Sequence, residues 1–348
     1  MRILDGRYQL EQCIGVGGMS EVWRGYDQVL ARPVAVKLLA PRQTAAQDCS
    51  ADQDCGERAR TEARSAAQLA HPNVASVYDF GMAPLPQGRQ APYIVMELVH
   101  GATLADHLAA GPMHWDIAVR ICAEVSAALA AAHGQGIVHR DVKPANIMLT
   151  PSGVKVLDFG IATAAGQHDQ QPDGFVLGTP AYLAPERLGC DAATPATDMY
   201  AVGVLLYQCL TGRLPWPAET PTQLVLAQHY RQPDALPVID GLAAEAAELC
   251  TRCLSADPEE RPTSPLAALV LAEAVDARVY VPPFGVPAPT PSPSPASPRR
   301  ATGRTGAEHV GKHRASSQRA SGAPSRDSNA WASSPTEASP RRSGEPRG

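Results

Sequence analysis

The stretch Val138-His139-Arg140-Asp141-Val142-Lys143-Pro144-Ala145-Asn146-Ile147-Met148, with Val156-Leu157-Asp158-Phe159-Gly160 after it, decides how this chain folds. Asp141 and Asp158 stand 17 residues apart, enough for a hairpin that brings the second back to face the first. A small strand pair around 147–157 supplies that hairpin. Phosphoryl transfer from a nucleotide needs a base for the acceptor hydroxyl, cations on the moving phosphate and oxygen ligands for Mg2+. Asp141 suits the first role, Lys143 the second, and Asn146 with Asp158 the third.

Working outward, Gly15-Val16-Gly17-Gly18-Met19-Ser20-Glu21-Val22 falls between two expected strands, Tyr8–Ile14 and Glu21–Gly25. Glycines allow a backbone to approach phosphates with its amide N–H groups as donors. Taken alone the cluster reads first as an ordinary glycine-rich hairpin. No helix follows it, so neither a Rossmann fingerprint nor a Walker A loop fits. The next strand ends in Val34-Ala35-Val36-Lys37, a lysine in an apolar setting. An unpartnered buried ammonium is costly, and a phosphate on one side with a carboxylate on the other would satisfy it. Glu62, on a helix over 57–70, is the candidate carboxylate; a solvated helix face between Arg60 and Arg64 is the alternative.

Strands are expected again at Val74–Phe80 and Tyr93–Val99, split by a turn-rich insert, Ala83–Pro92. Beyond Gly101 the pattern is helical, at 103–110, 114–133, 197–211, 221–230 and 242–254. A β-rich first part before an α-rich remainder is an α+β arrangement of two unequal lobes, about 5–98 and 101–279. The 348 residues carry a net charge of −5, unevenly spread. Residues 281–348 hold nine arginines and Lys312 against four acidic residues, and 12 of the 33 prolines. An acidic folded body therefore precedes a basic, Pro/Ser/Arg-rich tail, 280–348, expected to be disordered. The body's charge argues against nucleic acid as a partner. No run approaches the roughly 18 apolar residues of a membrane span. Eight cysteines are too few for a disulfide scaffold, and a reducing cytoplasm is the expected compartment. Cys250 and Cys253 form C-x-x-C on an amphipathic run in which one should face the core; no second pair supports zinc. Only four lysines stand beside 26 arginines, so each is worth placing.

Together these motifs resemble the eukaryotic-type protein kinases, and GVGGMSEV, HRDVKPANIML and GTPAYLAPE are similar to actinobacterial Ser/Thr kinases. The resemblance covers about 5–275 and implies a bilobal enzyme using ATP with Mg2+, or Mn2+, on protein substrates. It implies ATP contacts from Ile14, Gly15, Gly17, Gly18, Val22, Ala35, Met96, Glu97, Val99 and Met148, with Lys37 paired to Glu62. Val22, Ala35 and Met148 would sandwich adenine, the Glu97–Val99 backbone would read its edge, and Met96 would be the gatekeeper. Lys143 and Thr179 mark Ser/Thr rather than Tyr specificity. Glu186 resembles a residue that salt-bridges Arg261, and Asp198 the aspartate that steadies the catalytic loop. Related bacterial kinases associate back-to-back through the small lobe at positions matching Arg7, Leu30 and Asp79. The rival reading is a pseudokinase, a nucleotide-binding scaffold; such proteins usually lose the lysine, the base or a metal ligand, and all are intact here.

One departure concerns regulation. In the family the arginine before the catalytic aspartate, Arg140 here, usually pairs with a phosphothreonine a few residues before the Gly-Thr. Residues 167–177 contain no Ser, Thr or Tyr, and Asp173 falls at that place. Asp173 would then supply a built-in, weaker anion; a merely solvated loop residue is the alternative.

Overall fold

The computed structural model describes residues 2–17, 20–39, 59–61, 63–84, 90–159, 180–188 and 192–282, all within one compact unit, Met1–Thr290. The tail beyond residue 282, residues 40–58, Gly18, Glu62, Asp173 and Thr179 lie outside the described residues.

The first part is a six-stranded antiparallel sheet of β1 (Arg2–Leu4), β2 (Tyr8–Gly17), β3 (Ser20–Asp27), β4 (Arg32–Leu39), β5 (Val77–Pro84) and β6 (Gln90–Met96). Its order is β1-β2-β3-β4-β6-β5. Strand β4 is central and buried on both faces, so its period of two separates two clusters. Val34, Val36 and Leu38 pack with Leu4, Tyr8, Leu10, Tyr93 and Val95. Ala35 and Leu39 pack on the other face with Ile94, Met96 and the alanines Ala59 and Ala63 of a helical stretch, 59–61 and 63–67 (α1). Alternation puts Lys37 on that second face, beside Ala35.

Two expected strands are displaced. The one placed at 74–80 starts at Val77, because Val74 instead bridges Val156 and the Ala75 N–H donates to the Val156 carbonyl at 3.0 Å. The one placed at 93–99 is Gln90–Met96, and both arms enter the turn-rich insert, with Ala83 opposite Ala91 and Pro84 opposite Gln90. Strand β1 was not anticipated.

The second part is mostly helical: α2 (Leu104–Leu108), α3 (Trp115–His133), α4 (Pro185–Leu188), α5 (Pro195–Thr211), α6 (Pro221–Tyr230), α7 (Ala244–Cys253) and α8 (Ser264–Ala274). A three-stranded ribbon of β7 (Ala102–Thr103), β8 (Ile147–Thr150) and β9 (Gly153–Val156) completes it. Helix α3 buries most of its length, from Ala118 to Ala132, in the main core with α5, α7 and α8. Helices α5 and α7 approach so closely at Gly203 that an added Cβ would lie 2.6 Å from the Cys253 Cβ. Cys250 and Cys253 are both buried, where one was expected to be. Burial pushes the Cys250 thiol up to about 12 and Cys253 higher still, so both serve as protonated packing groups. The result is a bilobal kinase-like fold with a curled sheet lobe and a helical lobe.

Candidate active site

Strand register builds the upper wall. The tip of the β2–β3 hairpin pairs Gly15 with Val22 and Gly17 with Ser20. Val22 then lies opposite Lys37, and Ala35 opposite Met96. Val22, Ala35, Lys37 and Met96 thus share one corner of the sheet. Ile14 is half exposed on β2. A Cβ on Gly15 would make only ordinary contact with Val22, at 3.7 Å, so packing within the chain does not require glycine there. Below, Met148 on β8 lies opposite Lys155 of β9 and Thr103 of β7. Residues 97–99 follow β6, and the Glu97 N–H donates to the Ser76 carbonyl at 2.9 Å.

The loop between α3 and β8 is held from beneath by Asp198 of α5, a carboxylate 1% exposed. Its Oδ2 accepts from the His139 N–H and its Oδ1 from the Arg140 N–H, both at 2.8 Å. His133 Nε2 lies 2.8 Å from Oδ2, and His133 Nδ1 is 2.8 Å from Ser264 Oγ. His139 is buried against Phe159, ring centroids 4.6 Å apart. Its Nε2 faces the Leu157 carbonyl at 2.8 Å, and its Nδ1 accepts the Asp141 N–H at 3.2 Å. A carbonyl can only accept and a backbone N–H can only donate, so the proton sits on Nε2. His139 is therefore a strut between the two aspartate-bearing segments.

Above this support the charged groups meet in pairs. Asp141 Oδ2 accepts from Lys143 Nζ at 2.7 Å and from Asn146 Nδ2 at 2.9 Å. Asn146 Nδ2 also donates to the Asp141 carbonyl at 2.8 Å. Both partners are acceptors, which orients the Asn146 amide and leaves Oδ1 as its ligand atom. The Leu157 N–H donates to the Asn146 carbonyl at 2.9 Å and sets Asp158 alongside. Lys37 Nζ reaches down to Asp158 Oδ2 at 2.8 Å. Arg140 and Asp158 hold left-handed backbone, φ 69° and 61°, conformations that non-glycine residues adopt where surrounding structure enforces them.

The oxygens of Asn146 and Asp158 form an incomplete ligand set for a hard cation. Among the described residues no group of three or more His, Cys, Asp and Glu side chains gathers as a protein-only cage. Two oxygen donors completed by phosphate oxygens and water is how Mg2+ is usually held, so the residues fit Mg2+ accompanying a nucleotide.

The Glu186–Arg261 pair forms as expected, bidentate at 2.8 Å for both bonds. The Arg261 side chain is fully buried and also donates to the carbonyls of Ser255, Ala256 and Ala196. Burial works to raise the Glu186 carboxyl, but Arg261, the local backbone and Thr197 outweigh it and hold it below its ordinary value. The structure thus brings Lys37, Asp141, Lys143, Asn146, Asp158 and Asp198 into one region. His133, which backs Asp198 from 65 residues away, carries no local sequence signal and was missed.

Residues 8–275 match the protein kinase domain family. The chain is 38% identical over 290 residues to serine/threonine-protein kinase PknL of Mycobacterium tuberculosis, covering 82% of this chain and 70% of that one. It is 38% identical over 322 residues to serine/threonine-protein kinase PknA of Mycobacterium tuberculosis, covering 90% and 72%. Serine/threonine-protein kinase PksC of Streptomyces coelicolor is 39% identical over 268 residues, covering 74% and 47%.

Proposed function

The chain belongs to the protein kinase family as a bacterial serine/threonine protein kinase, and we propose that Asp141, Lys37, Lys143, Asn146 and Asp158 carry its chemistry. ATP is the donor. Asp141 orients the acceptor Ser or Thr hydroxyl and takes its proton through Oδ1, since Oδ2 is engaged by Lys143 and Asn146. The acceptor oxygen bonds to the γ-phosphorus as the bond to the β–γ bridging oxygen breaks and ADP departs. Lys143 places its charge beside the transferring phosphoryl group, and Lys37 serves the α/β-phosphates. Asn146 and Asp158 hold Mg2+, or Mn2+, which when bound neutralises charge on the phosphate oxygens. Gly15, Gly17 and Gly18 cover the phosphates, and Ile14, Val22, Ala35 and Met148 enclose adenine. Met96 guards the rear, and the 97–99 backbone reads the adenine edge.

The observation that carries this reading is the double hold on Asp141, 2.7 Å from Lys143 and 2.9 Å from Asn146, beside the Lys37–Asp158 pair. Substituting Lys37 with Met tests it. The loss of transfer to a generic basic acceptor should be at least about 100-fold, as for removal of a transition-state cation. Transfer within about threefold of wild type, well inside one such contribution, would reject the assignment.

Regulation follows from Arg140, with Asp173 supplying a permanent anion in place of a phosphothreonine. Phosphatase treatment should then leave basal activity intact; loss of activity would reject this. Association through the small lobe is a further proposal. It would use Arg7, Leu30 and Asp79: Leu30 is exposed, and Arg7 and Asp79, joined to each other at 3.1 Å, keep part of their side chains in solvent. Light scattering of wild type and Leu30→Asp checks it. We place the kinase domain at 5–279 and the chain in the cytoplasm; no helix among the described residues is long and apolar enough to cross a membrane.

A further inference from the structure

The folded body has three lysines, and the proposed mechanism uses two. Lys155 lies on β9 between buried Val154 and Val156, directly opposite Met148 of β8. Paired residues across a ladder share a face, so Lys155 extends on the side that carries Met148. Its ammonium donates to Glu97 Oε2 at 3.0 Å and to the Val74 carbonyl at 3.3 Å. The same Glu97 oxygen accepts the Ser76 N–H at 3.2 Å, and the Glu97 N–H returns a bond to the Ser76 carbonyl. Segment 73–76 is in turn stitched to β9, with the Val156 N–H donating to the Asn73 carbonyl at 2.8 Å.

Lys155 therefore ties three segments at the lobe boundary: β9, the 73–76 approach to β5, and the first residue after β6. Residues 97–100 belong to no strand, so no ladder fixes their backbone. Glu97 and Lys155 side chains are 25% and 18% exposed, and charges withdrawn that far from water need each other. A charge-assisted hydrogen bond here fixes where residue 97 sits relative to Met148.

We propose that Lys155 is a positioning residue for the nucleotide, clamping Glu97 and Val74 so that the 97–99 backbone meets adenine at a fixed height above Met148. This rests on the reading of 97–99 as the adenine-reading segment.

The test uses the full chain and the variant Lys155→Met, which keeps an apolar stem and removes the ammonium. Steady-state kinetics should show KM for ATP about tenfold higher, the scale of one partly buried charged hydrogen bond. The kcat and the acceptor KM should stay within about twofold, since the interaction is not made to the reacting atoms. Lys155→Arg should restore most of the ATP affinity. Adding Glu97→Gln to Lys155→Met should cost little more, as for two halves of one interaction. An ATP KM unchanged in Lys155→Met would overturn the proposal. So would a fall in kcat, acceptor affinity and melting temperature together, because that marks general loosening. If Lys155→Met fails to fold, Lys155→Gln read by the same ATP KM decides between the same outcomes. A wild type that is not saturated by ATP would instead overturn the underlying nucleotide-site reading.

Discussion

Asp198 commits both carboxylate oxygens to the backbone N–H groups of His139 and Arg140, the two residues before the proposed base. The arrangement holds Arg140 in its left-handed conformation, and it explains why a carboxylate is tolerated with almost no exposure. Replacing Asp198 with Asn would present an N–H to one of those donors, leaving a buried group unsatisfied. We predict a loss of about 1–3 kcal/mol in denaturant unfolding, together with a fall in kcat. A second residue-level prediction concerns acid stability. Hydrogen bonds from Arg7 hold the buried Asp27 carboxyl at about 2, against an ordinary 3.8, with burial opposing. Between those values the unfolded chain binds more protons than the folded one, so stability rises with pH. The contribution is complete above about pH 4 and is lost as pH falls towards 2. Arg7→Met should flatten that part of a pH–stability curve. Most catalytic candidates were legible at this scale because their spacing is local. Asp27 was not, because its meaning depends on Arg7, 20 residues away.

Helices α4 and α5 are joined to the segment before α8 by the Glu186–Arg261 pair. Breaking a buried pair leaves an uncompensated charge, and Arg261→Met should cost about 3–5 kcal/mol. Adding Glu186→Leu should recover part of that loss, which thermal unfolding of the single and double variants would show. At Gly203 the α5–α7 contact has no room for a side chain, and Gly203→Val should cost roughly 1–3 kcal/mol by overpacking. The helices expected from the sequence were read to within two residues at each end, with clear starts at Trp115 for α3 and Pro221 for α6. Helix α8 went unseen: Pro265-Leu-Ala-Ala-Leu-Val-Leu271 is apolar all round and shows no one-sided stripe. Strands β5 and β6 were placed too early and too late respectively. A short apolar run does not reveal which of its residues pair in the sheet and which, like Val74, are taken by a neighbouring strand.

At the scale of the molecule, two lobes meet along segment 73–76, residue 97 and β9. The chain after α8 returns to this joint. Tyr280 presents its carbonyl 2.7 Å from His71 Nε2, and His71 Nδ1 accepts the Asn73 N–H at 3.1 Å. Burial lowers the His71 pKa against the Tyr280 carbonyl, which favours the charged ring, so His71 serves as a neutral donor. Truncation after residue 282 should therefore leave stability and transfer unchanged. Truncation after 276 should lower stability by more than the roughly 1 kcal/mol of one hydrogen bond, because the packing of Ala277 and Val279 on the main core is lost with the Tyr280–His71 bond. The lysine scarcity noted in the sequence also resolves here: Lys37, Lys143 and Lys155 each hold a carboxylate at or beside the proposed site.

The most direct test of the central claim is transfer from γ-labelled ATP to a basic protein acceptor by wild type and by Asp141→Asn, with ATP binding measured on both. Wild type should label serine and threonine. Asp141→Asn should bind ATP with similar affinity while losing at least about 100-fold in rate, the contribution of a general base. Full transfer by Asp141→Asn would contradict the account.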